Sequence, residues 1–148
     1  MHFMQNKDPF DVANECVAFG VRRVSRLVTN HYDHHLAGAG LRSTQFTILN
    51  ALKALEEVTV NELAEQLQTE RTTLTRNLKL LQDKGWVAKL EGRDRRVRNL
   101  KLTPSGLEIL DAATDAWQTA QDILTGRIGN SRYRRLMENL SLLEESIS

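Results

Sequence analysis

The stretch from Thr59 to Thr103 constrains the fold of this chain more than any other feature. It opens with Thr59 and, three residues later, Glu62, which is the spacing of a capping box at the start of a helix. Leucines then recur at helical spacing over two short segments. A basic, glycine-containing tip next separates two apolar-rich runs, Trp86–Leu90 and Val97–Leu102. The stretch therefore predicts two short helices followed by a β-hairpin.

The second of these helices carries the side chains of greatest functional interest. We expect it to begin near Glu70, with Thr69 as its N-cap, and to end at Gly85, which suits a left-handed residue just past a helix. Its leucines form a buried stripe, and the opposite face presents groups that read base edges and hold phosphates. The candidates for base contacts are Thr72, Thr73, Thr75 and Arg76, and those for phosphate contacts are Arg71, Asn77 and Lys79.

Positive charge is concentrated in the same region. Residues Arg71 to Lys101 hold ten Lys/Arg against three Asp/Glu, a net charge of +7, whereas the rest of the chain carries −6. A run of like charge is sometimes only a solvated face. Its placement on one helix face and the adjoining hairpin tip instead favours a polyanionic partner.

The hairpin also carries a family resemblance. Residues 94–103, DRRVRNLKLT, match the D-x-R-x5-L-T wing signature of MarR-type transcriptional regulators without a gap. The likeness extends to Gln45-Phe46, to Leu63-Ala64 and to the junction from Leu81 to Val87. The chain thus resembles this family over nearly its whole length, which implies a winged helix-turn-helix that binds double-stranded DNA.

The resemblance assigns roles within the wing. In such regulators the arginine of the signature, here Arg96, enters the minor groove, where the negative potential favours it. The aspartate, here Asp94, holds the wing tip, although an aspartate in a hairpin also serves simply to form a turn. For Arg93, Arg95 and Arg98 solvated charge is a serious alternative. The DNA-binding candidates of the wing are Arg93, Asp94, Arg95, Arg96 and Arg98.

Both ends of the chain predict helices with more apolar surface than one lobe can bury. A long helix is expected from Pro9 to about Ala37, with apolar residues on two sides. After the wing, Thr103 and Pro104 suit the N-cap and N1 positions of another helix. A break is expected over Gly126–Asn130, followed by a last helix with apolar residues at alternating steps of three and four. Such faces favour an obligate homodimer.

These elements define the expected architecture. The fold is mainly α, with a winged helix-turn-helix lobe over residues 41–103 that includes a small β-hairpin wing. A further helix capped by Ser43 opens that lobe. Residues 1–40 form an N-terminal dimerisation helix and residues 104–148 form C-terminal dimerisation helices, all in one intertwined unit. One cysteine and the lack of a long apolar run indicate a cytoplasmic protein without a membrane partner.

The resemblance further implies a cleft for a small aromatic or anionic effector. Candidate lining residues are Cys16, Phe19, Arg23, Tyr32 and Trp117, and ordinary core or interface roles are the alternative for each. Some MarR-type regulators sense peroxides through an N-terminal cysteine. Here Cys16 is offset by two residues from the aligned position, a rotation of about 200° on a helix. We therefore expect a buried structural cysteine, with peroxide sensing as the alternative.

Metal binding and enzymatic activity are weakly supported. His31 and His35, at i and i+4, could share a metal, but together with His34 such residues more often cap a helix end, and no metal or other cofactor is expected. The sequence contains neither a G-x-S-x-G motif nor a glycine-rich phosphate loop, so no motif indicates an enzyme. The predicted function is a sequence-specific DNA-binding regulator that acts as a ligand-responsive repressor on a pseudo-palindromic operator. A Cys16-based peroxide sensor and a winged-helix protein-interaction module are the alternatives.

Overall fold

The structure, a computed structural model, describes residues 9–91 and 98–148, which form mainly helices and one small antiparallel sheet. In chain order the elements are α1 (Pro9–Glu15), α2 (Val17–Leu36), a 3-10 turn (Ala37–Ala39), α3 (Ser43–Leu55), β1 (Glu57–Thr59), α4 (Val60–Gln66), α5 (Arg71–Asp83), β2 (Val87–Glu91), β3 (Arg98–Leu102), α6 (Pro104–Ile128) and α7 (Asn130–Ile147). The predicted fold class, mainly helical with a winged lobe, is confirmed.

The helix-turn-helix pair α4–α5 begins and ends largely as expected. The Glu62 N–H donates to Thr59 Oγ1 at 3.2 Å and the Thr59 N–H donates to Glu62 Oε2 at 2.8 Å, which confirms the capping box. Gly85 follows α5 with φ 73°, as predicted. The prediction that Thr69 caps α5 is wrong. Thr69 instead closes the turn after α4, donating its N–H to the Ala64 carbonyl at 3.0 Å, and Glu70 is the N-cap.

The predicted two-stranded hairpin is part of a three-stranded sheet. The strand order is β1-β3-β2, and all neighbours are antiparallel. Val58 of β1 pairs with Leu100 of β3, and both side chains are buried. The sequence analysis missed β1 because three residues are too few to show an alternating pattern.

The core lies within the winged lobe, where α6 packs against α3. Leucines from nearly every element of the lobe meet there and leave almost no surface exposed. Completely or almost completely buried leucines are Leu36, Leu49, Leu52, Leu63, Leu74, Leu81, Leu100 and Leu110. Because these side chains come from both helices of the helix-turn-helix, they fix the orientation of α5 relative to the rest of the lobe.

The start of α6 is tied to the base of the wing. Thr103 is the N-cap, as predicted, and its Oγ1 accepts from the Gly106 N–H at 3.0 Å and donates to the Gly85 carbonyl at 2.7 Å. Gly106 lies so close to β2 that an added Cβ would stand 2.1 Å from the Trp86 carbonyl oxygen. Only glycine allows this approach.

The prediction of one continuous helix from Pro9 to Ala37 is wrong. The helix breaks at Cys16, which adopts an extended conformation, φ −74° and ψ 113°, and serves as the N-cap of α2. The α2 ladder starts there, with the Gly20 N–H donating to the Cys16 carbonyl. At this break the thiol is exposed rather than buried, so the expectation of a buried structural cysteine is also wrong for the single chain.

Two further predicted boundaries need correction. Ser43 does not cap α3: Arg42 is the N-cap, and the Ser43 N–H donates to Asp33 Oδ1 of α2 at 2.6 Å. A carboxylate from a neighbouring helix thus satisfies an N–H that the helix itself leaves unpaired. The expected break over Gly126–Asn130 is narrower, because α6 continues through Gly126 to Ile128 and the chain turns at Gly129, with φ 84°.

Large apolar side chains remain exposed at both ends of the chain. α7 buries no residue, and α2 buries only Leu36. The exposed apolar side chains at these ends include Val17, Phe19, Val21, Val24 and Leu27 of α2 and Leu136, Met137, Leu140, Leu142 and Ile147 of α7. Within residues 9–91 and 98–148, no helix is both long enough and apolar enough to cross a membrane.

Candidate nucleic-acid interface

The solvent-facing side of α5 is the candidate reading surface. Leu74, Leu78 and Leu81 anchor the helix in the core. The residues that turn outward line one open groove along the helix. They are Arg71, Thr72, Thr75, Arg76, Lys79, Leu80 and Asp83, and are together called the outer face below. The outer face thus brings together five of the DNA-binding residues predicted from the sequence. It also contains Leu80 and Asp83, which were not predicted.

Thr75 is held in a defined orientation on this face. Its Oγ1 donates to the Arg71 carbonyl at 2.7 Å, one helical turn back. With its hydrogen committed, the hydroxyl can only accept from a base or a water, and the methyl group is left free for apolar contact. Thr75 can therefore contact a base edge only as a hydrogen-bond acceptor or through its methyl group.

Lys79, predicted to hold a phosphate, already has a partner in the free protein. Its Nζ lies 3.1 Å from Asp83 Oδ2, an i,i+4 ion pair with both side chains mostly exposed. Pairs of this kind are weak in water, so a phosphate can displace the carboxylate. Asp83 nonetheless places a negative charge on the outer face, which opposes the approach of a polyanion.

Thr73 and Asn77, also predicted from sequence, lie on another side of α5. Asn77 is half-buried, and its Nδ2 donates to the Thr73 carbonyl at 3.1 Å. Both residues line a second groove between α5 and α3, here called the threonine groove, with Thr44, Thr47 and Thr69. The α3 threonines, Thr44 and Thr47, were not predicted, although their i,i+3 spacing places them on one face of a helix.

The wing contributes its base to the described structure. Arg98 opens β3, its backbone paired opposite Glu91, and the Asn99 Nδ2 donates to Glu57 Oε1 at 2.6 Å to tie β3 to β1. The candidates at the tip, Arg93, Asp94, Arg95 and Arg96, lie outside the described residues, as does the side chain of Arg98.

Two of the five predicted ligand-binding residues meet in a pocket between α2, α3 and α6. Tyr32 and Trp117 line it together with Val28, Thr29, Ser43, Thr44, Phe46 and Thr47. The Trp117 ring stacks on Phe46 with centroids 6.1 Å apart. Cys16, Phe19 and Arg23 are not among its lining residues and lie on the exposed half of α2, where the Arg23 guanidinium stands 5.7 Å from the Phe19 ring.

A hydrogen-bonded chain leads away from this pocket. The Tyr32 hydroxyl donates to Gln121 Oε1 of α6, and Gln121 Nε2 donates to the Tyr133 hydroxyl of α7 at 3.2 Å. Burial, with a smaller contribution from Tyr133, raises the pKa of Tyr32 above its usual value of 10.0, so its hydroxyl keeps its proton at neutral pH. Gln121 was not singled out from the sequence.

The histidines near the end of α2 have local partners. The His31 Nε2 lies 2.8 Å from the Ala120 carbonyl, and the His31 and His35 rings contact edge to face with centroids 5.0 Å apart. No group of three or more side chains suited to a metal ion occurs in the part of the chain that the structure describes. The contact between His31 and the Ala120 carbonyl ties α2 to α6.

A helix-turn-helix with a polar outer face, followed by an antiparallel hairpin, defines the class of winged-helix DNA-binding proteins. Within that class the sequence of residues 39–97 matches the model of the MarR family. Together with the relatives described next, this match shows that the chain belongs to the MarR family. It is a DNA-binding transcriptional regulator and not an enzyme.

Named relatives agree with this assignment. The chain is 30% identical over 108 residues to the multiple antibiotic resistance protein MarR of Salmonella typhimurium, covering 71% of this chain and 75% of that protein. It is 31% identical to the HTH-type regulator YwoH of Bacillus subtilis, spanning 56% of this chain but only 61% of that relative. The solved structure of the M. tuberculosis regulator MosR in complex with DNA superposes with a TM-score of 0.77 at 35% identity, covering 89% of this chain and 98% of that one.

Proposed function

We propose that this protein binds a pseudo-palindromic operator as a homodimer and acts as a ligand-responsive repressor. The observation that carries the proposal is the contrast between two surfaces. The outer face of α5 is polar and open, whereas α2 and α7 expose apolar side chains that the single chain leaves uncovered. One surface suits a nucleic acid and the other suits a second copy of the chain.

Roles on the DNA follow from reach and chemistry. Thr72, Thr75 and Arg76 turn outward and are assigned to base edges, and Arg71 and Lys79 to phosphates. Thr73 and Asn77 border the threonine groove, where the hydroxyls of α3 can accompany them toward one backbone phosphate. As the resemblance implies, Arg96 is assigned to the minor groove and Asp94 to holding the wing tip, and Arg93, Arg95 and Arg98 are assigned to the flanking phosphates. The DNA complex of MosR supports this use of the fold.

The homodimer rests on the apolar ends. Val24, Leu27 and Leu140 are 52%, 64% and 46% exposed, and many exposed apolar side chains on two helices are typical of an interface in soluble proteins. Burial of these faces against their counterparts across a two-fold axis forms the base, from residues 1–40 and 104–148. The lobes of residues 41–103 then project so that two α5 helices reach successive major grooves, about 34 Å apart.

The pocket between α2, α3 and α6 is the proposed effector site. Its lining combines the stacked Phe46 and Trp117 rings with hydroxyls from Tyr32 and Thr47, which suits a small aromatic compound with an oxygen substituent. Because the pocket joins α3 of the lobe to α2 and α6 of the base, a bound compound can favour one spacing of the lobes. The compound then weakens DNA binding to the extent that it binds the form with the other lobe spacing more tightly than the DNA-binding form.

DNA binding is tested by selecting bound duplexes from a random library and measuring affinity for the selected operator. Arg76→Ala is expected to weaken binding about 10- to 100-fold. The matched control, Arg127→Ala at the far end of α6, changes an exposed arginine outside the lobe and leaves affinity within twofold. Equal effects of both variants, or no selected duplex, contradict the proposal and favour a protein-interaction module.

The dimer is tested by sedimentation of the purified chain. Leu140→Glu places a charge on the apolar face of α7 and is expected to yield a monomer with much reduced operator affinity. Leu55→Glu, on an exposed leucine of the lobe, is the control and leaves the dimer intact. A wild-type chain that sediments as a monomer refutes the proposed assembly.

Effector sensing is tested by screening phenolic acids, metals and peroxides for release of the operator. A phenolic acid is expected to release it, and Trp117→Ala is expected to weaken that response because one wall of the pocket is removed. Release by peroxide that disappears in Cys16→Ser identifies the exposed thiol as the sensor instead.

A further inference from the structure

Leu80 is an apolar side chain in an unusual position. It lies on the outer face of α5 between Arg76, Lys79 and Asp83, and 48% of its surface is exposed. Among the described residues of the lobe, the large exposed apolar side chains are Leu55 and Leu80. Most of the other large exposed apolar side chains belong to α2 and α7, the helices assigned to the homodimer, whereas Leu80 belongs to α5 of the lobe.

Its surroundings indicate what it contacts. The neighbouring side chains on the outer face are charged or hydroxyl-bearing, so the described part of the chain offers Leu80 no further apolar cover there. An exposed leucine gains free energy only when another apolar surface removes it from water. In the major groove of B-DNA the apolar group on the base edges is the C5-methyl group of thymine.

We infer that Leu80 contacts thymine methyl groups in the major groove and thereby favours T·A pairs in one part of each operator half-site. The inference rests on the proposed DNA contacts of the outer face and adds a specificity-determining residue to them. Leu80 lies one helical turn beyond Arg76, about 6 Å along the axis, or roughly two base-pair steps. The thymine preference is therefore expected to one side of the pair that Arg76 reads.

The test uses the intact dimer and the selected operator in two forms. One form contains thymine, and in the other every thymine of both half-sites is replaced by deoxyuridine, which keeps the hydrogen-bonding groups but lacks the methyl. The wild-type protein is expected to bind the deoxyuridine duplex about fourfold more weakly for each methyl group that Leu80 would otherwise cover. Leu80→Ala is expected to bind the thymine duplex correspondingly weakly and to lose about fourfold of the discrimination for each of those methyl groups, so that only the share of other apolar contacts, such as the Thr75 methyl group, remains.

Controls separate this inference from the broader proposal. Arg76→Ala weakens binding to both duplexes but keeps the wild-type ratio between them, and Leu55→Ala leaves both affinities unchanged. Restoring single thymines to the deoxyuridine duplex then locates the contacted base. If Leu80→Ala keeps the wild-type ratio, or if the wild type itself ignores the methyl groups, the inference is refuted while DNA binding stands. If the wild type selects no duplex, the proposed function fails first.

Discussion

Replacing Gly106 by alanine tests how α6 is joined to the wing. In an exposed helix this change stabilises a protein by up to about 1 kcal/mol, because alanine is the better helix former. Here the added Cβ stands 2.1 Å from the Trp86 carbonyl oxygen and 2.9 Å from Leu102 Cδ1. The backbone carbonyl cannot rotate aside, so α6 must shift away from β2.

The shift has a definite cost. It stretches the bond from the Thr103 N–H to the same Trp86 carbonyl, 3.0 Å in the structure, and the bond from Thr103 Oγ1 to the Gly85 carbonyl. Overpacking costs about 1–3 kcal/mol and each weakened hydrogen bond about 1 kcal/mol. After subtraction of the gain in helix propensity, we expect Gly106→Ala to lower the free energy of unfolding by about 2–5 kcal/mol.

Urea unfolding followed by circular dichroism measures this loss at a fixed protein concentration. The matched control is Gly126→Ala on the same helix, where no atom stands within 4 Å of the added Cβ. That variant is expected to be as stable as the wild type or slightly more stable. If Gly106→Ala unfolds at the same urea concentration as Gly126→Ala, the close approach of α6 to β2 is not present in solution.

Two further predictions concern charged groups of the lobe. Asp83→Asn is expected to raise operator affinity about two- to fivefold at low salt, with little change in stability, because it removes a negative charge from the outer face and frees Lys79. The control is Asp111→Asn, which removes the carboxylate of the exposed ion pair with Lys53. An unchanged or lower operator affinity for Asp83→Asn contradicts the electrostatic reasoning. The N–H and hydroxyl of Thr59 hold the pKa of the Glu62 carboxyl below its usual value of 4.5, so the capping box contributes stability above that value and loses it as pH falls through the lowered pKa. An NMR titration that places the pKa of Glu62 at or above 4.5 rules out this pH-dependent contribution of the capping box.

The lobe was predictable because its signals are local. The Thr59–Glu62 pair, the leucine spacing of α5 and the Thr103-Pro104 start of α6 each specify an element through residues a few positions apart. These elements appear where the sequence places them. The outer face of α5 was also predictable, because a helix anchored in the core by three leucines leaves its opposite side to the solvent.

Two of the errors, the Ser43 cap and the missing β1, arose where partners are distant in sequence. The carboxylate that receives the Ser43 N–H belongs to Asp33, on another helix, so the sequence around Ser43 predicted a self-contained cap. β1 exists because β3 pairs with it across 42 residues, as in the bond from Asn99 to Glu57. No local pattern reveals such contacts, whereas the position of Asn77 beside the leucine stripe of α5 was readable from the helical period.

The position of α6 explains how one helix can link DNA contact to events far from the DNA. Its first turn is fixed to the wing base by Thr103 and Gly106, and toward its other end Gln121 joins Tyr32 to Tyr133. Gln121 lies about 22 Å of helix beyond Gly106, at a rise of about 1.5 Å per residue. Because Gly106 leaves no room between the first turn of α6 and the Trp86 carbonyl, we expect a displacement of α6 near Tyr32 to reach the base of the wing.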